Sequence, residues 1–203
     1  MRIFLGVTGA SGAPYAAGAL RALTAAGCEV GLCVSGSGAH VINHELFHGG
    51  REAPANTDIV VREFVARYAT DPAQVTILGL NDLTAPFASG SSLAPAALVM
   101  PCSGASLACI AHGTARNLIH RCCDVMLKER RRLVLVPRET PLSLIHLENM
   151  AAVTRAGAIV MPAMPGFYTH PTSLDDLVDF MVGKALDHLG VTHDLLARWG
   201  ETT

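Results

Sequence analysis

The chain has 203 residues, half of them hydrophobic and 16% charged, with a formal net charge of −2. That size fits one soluble domain, 1–203, burying roughly 70% of its unfolded surface, and the small net charge speaks against a general nucleic-acid binder. No apolar stretch reaches membrane-spanning length, and Met1-Arg2-Ile3-Phe4 runs directly into a strand without a signal-peptide layout. A cytoplasmic protein that engages neither nucleic acid nor membrane is therefore expected.

Ile3–Val7 reads as a strand, followed by a small-residue helix over about Pro14–Ala26; Pro14 suits its first turn and Gly27 its stop. Glu29–Val34 is a second strand, then Ser35-Gly36-Ser37-Gly38 leads to a helix over about Ala39–Phe47. Gly49–Asn56 reads as loop, Thr57–Tyr68 as helix, Val75–Leu78 as a short strand and Asn81–Pro95 as a long loop. Ala97–Met100 is a strand stopped by Pro101, with helices at about Ser106–Ala111 and Ala115–Arg130. Leu133–Val136 is strand, Ser143–Ala156 helix and Ala158–Met161 strand; after the loop Pro162–Thr172, Ser173–Leu189 is helix. A tail follows over about 190–203. This alternation predicts an α/β protein with one doubly wound parallel sheet, Rossmann-like and flavodoxin-like in its layers. The mean hydropathy of +0.37 and the docking-type Trp199 in the tail predict a homo-oligomer.

The unusual residues sit in loops after strands, where open α/β sheets bind ligands. Gly9-Ala10-Ser11-Gly12-Ala13 lets backbone N–H groups approach a phosphate at a helix start. It is neither Gly-x-Gly-x-x-Gly nor a P-loop, and Ser35 stands where a ribose-reading acid would be, which counts against NAD. Pro101-Cys102-Ser103-Gly104-Ala105-Ser106 repeats the pattern, so a mononucleotide such as FMN is expected; capping of the next helix by Ser103 is the plainer reading. Arg138 and Glu139 leave the next strand side by side and can hold an anion and supply it a proton, with Arg138 favouring the ionised carboxylate. Arg121 and Lys128 lie seven apart on one helix face and can meet a phosphate together, while Arg130, Arg131 and Arg132 read as a solvated helix end. His40, His44 and His48 recur every fourth residue, a spacing that can bind zinc, yet no third ligand presents itself and no metal is expected. Six cysteines without a Cys-x-x-Cys pair read mostly as buried small hydrophobes.

Together these segments resemble the flavin prenyltransferases of the UbiX type. The resemblance is carried by Thr8-Gly9-Ala10-Ser11-Gly12, Asn117-Leu118-Ile119 with Arg121, Asp124–Arg131, Pro137-Arg138-Glu139-Thr140-Pro141, His146-Leu147-Glu148-Asn149-Met150 and Pro165-Gly166-Phe167-Tyr168. It implies a homododecamer with sites where subunits meet, reduced FMN as prenyl acceptor, dimethylallyl phosphate as donor, and a product used by a UbiD-type decarboxylase. By position it implies FMN contacts at Gly9, Ala10, Ser11, Ser35, Ser103, Gly104, Ala105, Ser106 and Arg121. The donor site and its surroundings would include Glu45, Ser89, Gly90, Ser91, Lys128, Arg138, Glu139, Tyr168 and Lys184. Leu83 stands where close relatives can carry an aromatic residue, and Lys184 where they often carry Arg. The residue chemistry fits metal-independent transfer: Lys128, Arg138 and Lys184 neutralise a departing phosphate, and Glu139 carries a proton, relayed through Ser11. Two other classes compete, an FMN-dependent oxidative cysteine decarboxylase and a non-catalytic FMN-carrying accessory subunit of a decarboxylase.

Overall fold

Ile3, Leu5 and Val7 belong to one buried cluster and Phe4 to another, because successive side chains of a strand point to opposite faces. The computed structural model describes residues 1–48, 56–92 and 94–196; Trp199, and the expected loop from Gly49 up to Asn56, lie outside the described residues. The strands are β1 (Arg2–Val7), β2 (Glu29–Val34), β3 (Val75–Ile77), β4 (Ala96–Cys102), β5 (Arg132–Pro137) and β6 (Ile159–Val160). The α-helices are α1 (Ala13–Ala25), α2 (Gly36–Leu46), α3 (Thr57–Tyr68), α4 (Gly104–Ala111), α5 (Leu118–Lys128), α6 (Leu144–Arg155) and α7 (Leu174–Leu189).

All strand pairs are parallel, in the order β3-β2-β1-β4-β5-β6. The layers are those of a doubly wound fold, and this order is the Rossmann one, which reverses between β1 and β4 and opens a crevice at their carboxyl ends. Helices α1, α2, α3 and α7 cover one face; α4, α5 and α6 cover the other, together with Phe87. Burial on both faces is why the strands are continuous apolar runs. Among the described residues no helix is long and apolar enough to cross a membrane.

Several boundaries differ from expectation for identifiable reasons. β4 does not stop at Pro101. It continues to Cys102 by skipping a ladder position, with Val99 opposite Leu135 and Cys102 opposite Pro137, so the missing proline N–H is not needed. α2 begins at Gly36, three residues early, because Ser35 Oγ accepts the Gly38 N–H at 3.0 Å. α5 begins at Leu118 because Asn117 Oδ1 takes the His120 N–H at 3.0 Å. It ends at Lys128, and Arg130 adopts φ 54. His48 likewise lies past the end of α2 with φ 55, so the histidine ladder does not share one helix face. The long loop contains a 3-10 turn over Pro86–Ala88.

That turn anchors the loop. Phe87 packs on Phe4 with ring centroids 5.3 Å apart, and its ring lies over Gly31, where a Cβ would sit 2.6 Å from Phe87 Cζ. Gly31→Ala is expected to cost about 1–3 kcal/mol by overpacking. The measurement is the urea midpoint of unfolding, and an unchanged midpoint would show that Phe87 is not fixed there.

Candidate active site

The carboxyl ends of β1, β2 and β4 are tied together by backbone and by one buried hydroxyl. Thr8, 2% exposed, donates from Oγ1 to the Pro101 carbonyl at 2.9 Å and accepts the Ser103 N–H at 2.7 Å. Its own N–H also reaches the Pro101 carbonyl, at 3.2 Å, and Ser35 N–H donates to the Val7 carbonyl at 2.9 Å. No Cβ fits at two glycines here. One at Gly38 would lie 2.6 Å from the Val7 carbonyl oxygen, and one at Gly9 would overlap Ser37 Cβ. Thr8 and Gly38 were not picked out from sequence; a Thr directly after an apolar strand is too common to mark such a role.

Around this junction the first N–H groups of two helices face outward. Ser103 caps α4 by accepting the Ser106 N–H at 3.3 Å, and Ser35 caps α2, so capping and exposure of the rim coexist. The N–H groups of Gly104 and Ala105 occupy the first α4 positions, which have no intrahelical acceptor. Together with Gly9, Ala10 and Ser11 they form a polar rim that fits an acceptor-rich group such as a nucleotide. At α1 the helix N-terminus already has its anion. Gly12 and Ala13 N–H both donate to Glu45 Oε2, at 3.0 and 2.8 Å, which satisfies the orphan donors and the helix dipole. The N–H groups of Gly12 and Ala13, expected to approach a phosphate, are therefore taken by the protein's own carboxylate.

Arg138 and Glu139 do not pair with each other. Arg138 Nε donates to the Ser11 carbonyl at 3.1 Å, and Glu139 Oε1 accepts the Thr140 N–H at 3.0 Å. The cation therefore ties the β5 loop to the β1 loop instead of holding its neighbour. Both residues line a cleft of about 380 Å³ with Met150, Ala163 and Met164.

The other cations lie elsewhere in the subunit. Arg121 pairs with Asp124 at 2.5 Å and donates to the Ala88 carbonyl at 3.1 Å. Lys128 pairs with Glu129, and both crowd Gly90, where a Cβ would lie 2.6 Å from Lys128 Nζ. Arg131 is no solvated helix end: it donates to the carbonyls of Gly90 at 2.6 Å and Ala94 at 3.3 Å, while Arg132 reaches the Leu189 carbonyl at 2.9 Å. The loop bearing Ser89 and Ser91, whose hydroxyls are 2.8 Å apart, is thus held along α5. Lys128 ends α5 just before β5 begins, which puts it at the amino edge of the sheet, opposite the rim. Tyr168 is exposed and meets Phe180 edge-on at 5.8 Å; Lys184 is exposed on α7. One subunit brings together Gly9–Ser11, Ser35, Glu45, Ser103–Ser106 and Arg138, and separately Ser89–Ser91, Arg121 and Lys128. Among the described residues no group of three His, Cys, Asp or Glu is placed to hold a metal ion.

The Flavoprotein family model matches residues 1–186. The flavin prenyltransferase UbiX of Halalkalibacterium halodurans is 46% identical over 200 residues, covering 97% of this chain and 92% of its own. The chain belongs to the UbiX flavin prenyltransferase family. The crystal structure of AnUbiX in complex with FMN and dimethylallyl pyrophosphate is similar with a TM-score of 0.83 at 40% identity, covering 100% of this chain and 98% of that one. A dodecameric FMN-dependent UbiX-like decarboxylase from Escherichia coli O157:H7 is similar with a TM-score of 0.83 at 38% identity, over the whole of both chains. The FMN-dependent cysteine decarboxylase TvaF, at 16% identity and a TM-score of 0.58 over 94% of this chain, shares the fold alone.

Thr8→Val keeps the shape and removes the hydroxyl, leaving the part-buried Ser103 N–H without its acceptor. A loss of about 1–3 kcal/mol in unfolding free energy is expected, read by chemical denaturation. Stability equal to the parent would mean that the strand ends do not depend on this bridge.

Proposed function

We propose that this protein is a flavin prenyltransferase that joins the dimethylallyl group of dimethylallyl phosphate to N5 and C6 of reduced FMN, for use by a UbiD-type decarboxylase. The observation that carries the reading is the near-full-length identity with a flavin prenyltransferase. The knitted strand ends with outward N–H groups suit the FMN acceptor. No feature of the site favours the cysteine decarboxylase or the accessory subunit.

Bound reduced FMN supplies the nucleophilic N5 and the C6 that closes the new ring. Gly9, Ala10, Ser11, Ser35, Ser103, Gly104, Ala105, Ser106 and Arg121 bind and orient it. Arg138 and Lys184 offer cations to the phosphate as the allylic C–O bond breaks and its electron pair leaves with oxygen. Glu139 holds a proton for the leaving phosphate, and Ser11, tied by Arg138 to the Glu139 loop, is the relay. Glu45 fixes the turn bearing Ser11 through its Oε2. Tyr168 borders the donor phosphate. Lys128, with Ser89, Gly90 and Ser91, lies at the other edge of the sheet, so a neighbouring subunit presents this group to the rim. Closed symmetry makes such a shared site repeat around a homododecamer.

The deciding experiment is a single turnover of dimethylallyl phosphate with the reduced, FMN-loaded protein, followed by mass spectrometry of the flavin; no gain of a dimethylallyl group would refute the reading. Glu139→Gln keeps the shape and removes the proton. It is expected to leave FMN binding intact and to slow transfer by roughly 10²–10⁴-fold; transfer at the parent rate would make Glu139 structural.

Shared sites make a second outcome measurable. Lys128→Ala and Glu139→Gln should each be nearly inactive alone. Co-assembled in equal amounts after dissociation, they should regain activity at about a quarter of the sites, since each variant supplies what the other lacks across an interface. No recovery from a verified mixed oligomer would place both residues in one subunit's site.

A further inference from the structure

His146 occupies the third position of α6, beside the rim, and the chemistry above gives it no role. With Ser143 it forms a capping box: Ser143 Oγ accepts the His146 N–H at 3.3 Å, and His146 Nδ1 accepts the Ser143 N–H at 3.2 Å. The box needs one acceptor from the side chain at this position, and Glu or Gln is the usual supplier. An imidazole brings a second nitrogen that the cap does not use. Because Nδ1 accepts a backbone N–H it carries no proton, so the ring proton sits on Nε2 and the cap itself fixes the tautomer.

The ring is half-buried and lies against the first residue of α4. A Cβ on Gly104 would sit 3.0 Å from His146 Nε2 and 3.3 Å from its Cδ2. The missing side chain at Gly104 is what lets the imidazole come so close. Nε2–H thus stands beside the N–H groups of Gly104 and Ala105, which have no intrahelical acceptor. Among the described residues Nε2 has no hydrogen-bond partner of its own. Three donors therefore border one space, two from the start of α4 and one from α6. The cap accounts for Nδ1 and leaves the surplus donor at the rim to be accounted for.

We propose that His146 is a further flavin-binding residue, whose Nε2–H donates to an acceptor atom of the bound flavin nucleotide beside Gly104 and Ala105. The inference rests on the reading of this rim as the FMN site. It gives the two ring nitrogens separate tasks, one holding the turn that follows Glu139 and the other holding the flavin.

The test titrates oxidised FMN by fluorescence quenching against the full-length parent, His146→Gln, His146→Leu and Ser143→Ala, with urea unfolding of each. Gln keeps both tasks, its carbonyl oxygen serving the cap and its amide N–H the flavin. Leu loses both. Ser143→Ala weakens the cap and leaves the imidazole in place. One lost neutral hydrogen bond corresponds to about tenfold weaker binding. That loss is expected in His146→Leu alone, with affinity near the parent's in His146→Gln and Ser143→Ala, although Ser143→Ala should unfold at lower urea. Solid-state ¹⁵N spectra of histidine-labelled parent, with His146 assigned by its absence from H146Q, should show a protonated Nε2 whose signal moves on adding FMN. That measurement carries the test should His146→Leu fail to fold, and an unmoved signal would overturn the contact. Parent affinity in His146→Leu, equal weakening in Ser143→Ala, or no recovery in His146→Gln would likewise reduce His146 to a cap. A parent protein that binds no FMN would overturn the reading of the rim, and the inference with it.

Discussion

One buried hydroxyl ties the ends of the two strands that flank the ligand crevice, beyond the β1–β4 ladder that runs to Gly6 and Val99. Thr8 Oγ1 donates to the last turn of β4 at Pro101 and accepts from Ser103, so it uses both halves of its hydrogen-bonding capacity in a place that water does not reach. The carboxyl ends of β1 and β4 splay at the switch point, since the connections from these strands wind to opposite sides of the sheet. A crevice is the result, and past the last ladder pair, Gly6 with Val99, its two lips need a further link. The Thr8 bridge closes that gap at the level of the backbone. It thereby aims the outward N–H groups of α4 at the same space that Gly9, Ala10 and Ser11 border. Close approach at Gly9 and Gly38 adds the β2 end to the same rigid body.

The opposite edge is organised by a different device. The loop between β3 and β4 satisfies part of its backbone through its own turns, and the carbonyls that face α5 take outside donors. Arg121 on α5 and Arg131 just beyond its end supply them, to Ala88, Gly90 and Ala94, and Phe87 pins the loop to the sheet from beneath. Guanidinium groups suit this work because several N–H donors spread from one planar head. The consequence is a cationic, preformed surface around Lys128 and Ser89–Ser91, held apart from the rim by the length of α5, roughly 15 Å at 1.5 Å per residue. A phosphate at the rim cannot be reached by Lys128 of the same chain. The two halves differ in make-up, one carrying backbone donors with Glu45 and Arg138, the other Lys128 paired with Glu129.

The fold was largely legible because both faces of the sheet are buried, so β1, β2 and β5 stand out as apolar runs and the helices between them follow. What escaped was governed by single polar contacts. Ser35 and Asn117 set the starts of α2 and α5, and hydropathy does not register a cap. Pro101 reads as a strand stop, yet the ladder steps past it. In the site, the loops after β1, β2, β4 and β5 were readable from their small or charged residues. Partner choice was not: adjacency in sequence suggested an Arg138–Glu139 pair, whereas Arg138 reaches Ser11 across the crevice. Arg131 looked like solvated charge because its acceptors are carbonyls some forty positions earlier, and backbone acceptors leave no trace in a sequence. Thr8 was missed for the same reason, its backbone partners at Pro101 and Ser103 being far along the chain.

The cations at the amino edge come already partnered, and this bears on how an anion is selected. The hydrogen bond and charge of Lys128 hold the Glu129 carboxyl below its ordinary range. A depressed carboxylate pKa means that this pair is complete above the usual carboxylate value and is lost only as pH falls through the lower, folded value. Near neutral pH the pair is therefore intact, and proton uptake by Glu129 does not release Lys128. Any anion that approaches must instead compete with a carboxylate for the same ammonium group. Such competition is weak for a singly charged or diffuse anion at an exposed pair. It favours a ligand that carries more charge and more acceptor oxygens than one carboxylate, as a phosphate monoester does. Towards the other end of α5, Arg121 is paired with Asp124 in the same way. Pairing with an adjacent acid thus acts as a threshold that keeps such a surface from being a general anion sink.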